Sequence, residues 1–171
     1  MKYSVLLAAS AALAFAQGPD LKTLSGGAQA LQNTVKNYVL QSAAKMPEEH
    51  FAFAPVPEVR SFAALLGHIA DAQYAFCSAV LGEKNPAPGI EKTKTTKADL
   101  EAALKDAFAY CDRAYAISDA QAAETVKFFG AERTKLNVLS FNTAHTWEHY
   151  GNLVTYMRLK GIVPPSSERR R

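Results

Sequence analysis

The chain has 171 residues, a formal charge of +3, 49% hydrophobic residues and 10% aromatics. That supports one domain with a real core and is too little for two full ones. Two cysteines exclude a disulfide scaffold, and a charge this low does not suggest a nucleic-acid protein.

The N-terminus reads as an export signal. Met1-Lys2 is a short positive start, Val5 to Phe15 is apolar or small apart from Ser10, and Ala14-Phe15-Ala16 has the A-x-A cleavage pattern. The apolar run reaches only about half of a bilayer core. Residues 1–16 are therefore expected to be cleaved, giving an exported chain, periplasmic or secreted. The domain is expected over residues 17–167, with a basic tail at 168–171 ending in Arg169-Arg170-Arg171. No later segment reads as long and apolar enough to span a membrane.

From Leu21 to Met46, Leu24, Ala28, Leu31, Val35 and Val39 recur at helical steps. Pro47, Pro55 and Pro57 then impose an extended connector. Ser61 is a fitting N-cap for a second helix, Phe62 to Leu81, which Gly82 ends. Residues 83–95 have no apolar period and read as a long loop. Thr96 caps a third helix carrying Leu100, Leu104, Phe108, Cys111 and Tyr115. Residues 118–134 are ambiguous; Val126, Phe128 and Phe129 before Gly130 allow a short strand-like crossing. A fourth helix runs from about Thr134 to Lys160, stopped by Gly161 and Pro164-Pro165.

Four amphipathic helices without a convincing sheet predict an all-α four-helix bundle. The 83–95 connection is long for antiparallel neighbours and allows helices 2 and 3 to run parallel. Cys77 lies 15 residues beyond Phe62, and Cys111 lies 14 beyond Lys97. In a parallel pair they sit at one height and can form a disulfide, which export permits. The alternative is two small buried hydrophobes.

Four histidines are present. His145 and His149 are one turn apart on helix 4, on a face continued by Val138, Phe141, Asn142, Leu153 and Tyr156. Two such imidazoles can share a divalent metal, or can be ordinary hydrogen-bonded core histidines. His68 sits at the edge of the helix 2 stripe, where Ala64, Ala72 and Ala75 leave room for a third ligand. His50 lies in the proline-rich connector and reads as a surface residue. His145-Thr146-Trp147-Glu148-His149 also matches H-x-x-E-H, the inverted zinc-protease pattern. That chemistry needs a downstream carboxylate ligand, and Glu168 is the one acid among the 22 residues after His149. Glu148 is left as a weak acid–base candidate.

Arg60-Ser61-Phe62-Ala63-Ala64-Leu65-Leu66-Gly67-His68-Ile69-Ala70-Asp71-Ala72, with the lead-in Met46-Pro47-Glu48-Glu49-His50-Phe51, resembles the second helix of the DinB/YfiT-like superfamily. Asn142, His145 and the stretch from Glu148 to Ser167 resemble its final helix and tail. The resemblance spans about residues 22–167. It implies an up-down-down-up bundle with helices 2 and 3 parallel. It also implies a three-histidine metal site whose matching positions are His68, His145 and His149. The expected cofactor is a divalent nickel, zinc, iron or manganese ion, and the expected assembly is a homodimer. Some relatives are thiol transferases.

Such a cation is a Lewis acid that lowers the pKa of water or a thiol. Cys77 lies about half a turn round the helix from His68 and points away, so the nucleophile would be water or a cosubstrate thiol. Asp71, Asn142 and Tyr156 are candidate pocket-lining residues. The expected function is a metal-dependent transferase or hydrolase of an unidentified small molecule. The alternatives are a non-catalytic metal- or ligand-binding bundle and a stress-response protein. The imidazoles must be deprotonated to bind, so occupancy should fall below about pH 6.

Overall fold

Each long helix begins where a threonine or serine accepts a backbone N–H. Thr23 caps α1 (Leu24–Lys45), Ser61 caps α2 (Phe62–Leu81), Thr96 caps α4 (Lys97–Tyr115) and Thr134 caps α6 (Lys135–Leu159). The computed structural model of the chain describes residues 18–168. The signal-peptide reading of residues 1–16 and the arginines of the basic tail lie outside the described residues.

Gly82 ends α2 in the left-handed region at φ 68°, which a side chain would resist. The connector between α2 and α4 is not structureless as expected. It contains a single-turn helix, α3 (Ile90–Thr93), whose Ile90 is buried. Its first backbone N–H groups are held by Asp71 of α2. A four-residue helix stabilised by a distant carboxylate leaves no periodic signal in its own sequence.

The 118–134 segment also holds more than one crossing. Ser118 and Gln121 form a capping box that starts α5 (Asp119–Ala122). Strands β1 (Thr125–Phe128) and β2 (Ala131–Thr134) then pair antiparallel, with Phe128 opposite Ala131. Phe129 (φ 49°) and Gly130 (φ 76°) make the turn, both with positive φ, as two-residue hairpins favour.

The described residues are thus mostly helical, with one small sheet. Around the core, α1 packs on α4 and α6, and α2 packs on the same two. Gln32 and Tyr38 of α1 meet Thr143 and Tyr150 of α6 in the same order along both helices. Tyr74 of α2 meets Tyr110 of α4, and Glu83, just past α2, accepts from the Tyr110 hydroxyl. Cys77 and Cys111 are disulfide-bonded across α2 and α4, with Cα atoms 5.3 Å apart.

The expectation that no later segment is long and apolar enough to span a membrane is corrected: among the described helices, α2 alone has that length and apolarity. Its apolar residues instead fill the core: Phe62, Leu66 and Ile69 are fully buried. Fully buried Val35, Leu104, Phe108 and Leu153 from the other three long helices join them.

Candidate metal centre

α2 and α6 carry the histidines, and a buried polar network between them fixes how the helices face one another. Gln73 of α2 is fully buried. Its amide donates to Asn142 Oδ1 (3.2 Å) and Thr146 Oγ1 (2.9 Å). Its carbonyl oxygen accepts from Asn142 Nδ2 (3.0 Å) and Gln32 Nε2 (2.8 Å). Buried amides left unpaired are costly, so this lattice favours one rotation of α6 against α2. Asn142 therefore does not line a pocket. It is fully buried and spends its amide on Gln73 and on the Tyr115 hydroxyl.

One turn further along α6 the rotation brings the imidazoles together. His145 Nε2 lies 3.2 Å from His68 Nε2 and 3.0 Å from His149 Nε2. The three potential ligand atoms all fall within 4.8 Å of one another. Two nitrogens bound at ~2.0–2.1 Å to one ion lie about 2.9 Å apart at a right angle and about 3.4 Å apart at the tetrahedral angle. The two separations from His145 fall in that interval. Three imidazoles also form a donor set that suits zinc, nickel and iron. The residues therefore fit a divalent ion. His50 is not among them; it sits half-buried in the 3₁₀ turn Glu48–His50.

The site disfavours protons. Burial lowers the pKa of His149, and the adjacent His145 and His68 rings add to the effect, to about 4. Burial and His68 also lower that of His145. Both rings are thus held neutral, the form that binds metal, further into acid than a free imidazole.

His149 lies on the wall of a cavity of about 540 Å³, with Glu58, Val59, Arg60, Leu65, Glu91, Glu148, Asn152 and Tyr156. Tyr156 is on this wall, and its hydroxyl donates to the Arg60 carbonyl (2.9 Å). Glu148 is an exposed part of the same wall. Asp71 is not. Its carboxylate accepts the backbone N–H groups of Gly89, Ile90 and Glu91 at 2.8–2.9 Å. Phe141 departs from its assigned face and is 43% exposed. It packs edge-on against Phe76, beside His145.

The sequence reading missed Glu91. Its Oε2 lies 3.1 Å from His68 Nδ1, and its Oε1 accepts from Arg60 Nε at 2.8 Å. Burial would raise the Glu91 pKa, but the Arg60 hydrogen bond and charge, aided by His68, outweigh it and lower the value. Gly67 permits this approach: a Cβ there would lie 2.6 Å from the Glu91 Cα. A glycine one residue before a candidate ligand was the available signal.

No curated protein matches the sequence. The structure is similar to that of a DinB-like protein from Bacillus cereus, at 15% identity and a TM-score of 0.73, covering 85% of this chain and 98% of that one. A DinB-like protein from Bacillus subtilis gives 20% identity and a TM-score of 0.65 over 84% and 99% of the two chains. A histidine-to-alanine mutant of mycothiol-dependent maleylpyruvate isomerase gives 15% identity and 0.63, over 75% of this chain and 60% of that one. These likenesses establish the fold. Residues 33–153, which include all three clustered histidines, match the DinB superfamily profile, and the chain belongs to that superfamily.

Proposed function

We propose that this protein is an exported metalloenzyme, a transferase or hydrolase of a small molecule, with His68, His145 and His149 as the metal ligands. One observation carries the reading: three imidazole Nε2 atoms converge where His149 opens onto a cavity. When bound, the divalent ion supplies Lewis-acid polarisation and lowers the pKa of a water or thiol.

The chain's own residues do the rest. Three imidazoles would supply ring nitrogens to the ion and leave coordination positions for a reactant. Leu65 and Val59 give an apolar patch to a cavity wall that is otherwise mostly charged and polar. Glu148, on the cavity wall with His149, is the candidate to take or return a proton there. The peptidase reading lacks a third ligand of the protease type, because His68 occupies that role and Glu168 pairs with Lys45.

The reading includes an up-down-down-up four-helix bundle. Its support is that α1 and α6 contact in parallel order, as do α2 and α4. Cleavage after residue 16 and a homodimer belong to it as well. The disulfide supports export, being stable in an oxidising compartment. The homodimer rests on the family resemblance alone.

The test is turnover. Zinc- and nickel-loaded protein is assayed on a panel of activated esters, amides and thiol acceptors. The expected result is activity that needs metal, is lost in His145→Ala and falls at least tenfold in Glu148→Gln. Tight stoichiometric metal with no turnover across the panel favours the non-catalytic binding protein instead.

A further inference from the structure

Of the three histidines, His68 has its outward nitrogen fixed most firmly. Its Nδ1 meets the Glu91 carboxylate at 3.1 Å. The outward nitrogen of His149 has only the Asn152 amide, at 3.4 Å, and that of His145 is buried with no partner among the described residues. An ionised carboxylate only accepts hydrogen bonds, so the ring must donate from Nδ1. A neutral imidazole has one N–H, so Nε2 keeps its lone pair, and that atom faces the other two rings.

We propose that Glu91 is the positioning residue of this centre, holding His68 in the Nδ1–H tautomer with its Nε2 lone pair turned toward His145 and His149. The inference rests on the metal reading above and deepens it.

Three separate features bring Glu91 to this place. Asp71 gathers the backbone N–H groups of residues 89–91 and fixes α3 against α2. Gly67 lets the Glu91 Cα come closer than any side chain at residue 67 would allow. Arg60 engages Glu91 Oε1, leaving Oε2 for the ring. Asp71 and Gly67 act on the backbone and Arg60 on the side chain. Together they aim one carboxylate at one nitrogen. A carboxylate behind a ligating histidine orients the ring and raises its basicity, and removing one weakens metal affinity by about 10- to 100-fold.

Zinc affinity is measured by competition with a chromophoric chelator on tag-free protein, for wild type, Glu91→Ala, Glu91→Gln and His145→Ala. Glu91→Ala should bind zinc about 10- to 100-fold more weakly, with an unchanged metal-free melting temperature. Glu91→Gln keeps an acceptor and should recover part of the loss. His145→Ala should lose tight binding altogether. Wild-type affinity in Glu91→Ala, with loss in His145→Ala, would overturn the Glu91 role and leave the metal reading standing. Equally weak binding by wild type and His145→Ala would instead overturn the metal reading. A second readout needs neither metal nor a folded variant. Long-range proton–nitrogen correlation spectra of the metal-free wild type at pH 8 should place the His68 proton on Nδ1. A proton on Nε2 would refute the proposal.

Discussion

His149 is only 7% exposed, and its ring nitrogens face two other imidazoles and one amide. Its folded pKa of about 4 lies below the ordinary 6.5, so the unfolded chain takes up the proton first. Its contribution to stability is therefore complete above about pH 6.5 and is lost as pH falls toward 4. The urea midpoint of metal-free protein should drop over that window, and His149→Gln should flatten the drop; a midpoint that rises on acidification would contradict this. Metal occupancy should likewise persist below the pH of about 6 expected from free imidazoles. The ligand assignment makes a sharper prediction. His145→Ala should abolish stoichiometric metal, whereas His50→Ala should leave it unchanged, as read by elemental analysis. Spacing alone revealed the pair at 145 and 149, because i and i+4 share a helical face. Glu91 was not legible, since its position depends on a carboxylate twenty residues earlier and on the space beside Gly67.

Elements are held to one another here by a few polar and covalent ties set within apolar packing. Gln73 is the hub of the α2–α6 lattice. Replacing it by Ala strands the buried amides of Gln32 and Asn142, at a cost of about 2–4 kcal/mol. Zinc affinity should fall with it, because α6 loses the contacts that set its rotation; equilibrium denaturation and metal titration on the same variant check both. The Cys77–Cys111 bond closes a loop with a sequence separation of 34. Removing it in the Cys77→Ala, Cys111→Ala double variant should cost about 3–4 kcal/mol, chiefly through the freed unfolded chain. A loss below about 1 kcal/mol would mean that the packing of α2 on α4 holds the pair without it. The four long helices were readable because each had a capping residue and a periodic stripe. The hairpin and α3 were not. Phe129 takes a left-handed turn position that its side chain disfavours, beside Phe128 and Phe76, so local propensity points away from what the tertiary contacts select.

At the scale of the whole molecule, the helices form a frame that carries imidazoles from two chain segments to one point. The length of the 83–95 connector suggested a parallel α2–α4 pair, and the equal heights of the two cysteines suggested their contact. What the connector does beyond spanning that distance was hidden. It folds back so that α3 presents Glu91 to His68. The apolar stripe of α6 was likewise read too broadly, because Phe141 serves an aromatic cluster with the hairpin rather than the core.

The metal reading requires one ion among His68, His145 and His149. Crystals of tag-free protein, with diffraction recorded on either side of the absorption edge of the metal found by elemental analysis, test it most directly. One anomalous peak per chain is expected, bounded by the three Nε2 atoms and facing the cavity at His149. A metal peak elsewhere, or full-length protein that takes up no divalent ion at equilibrium, would contradict it.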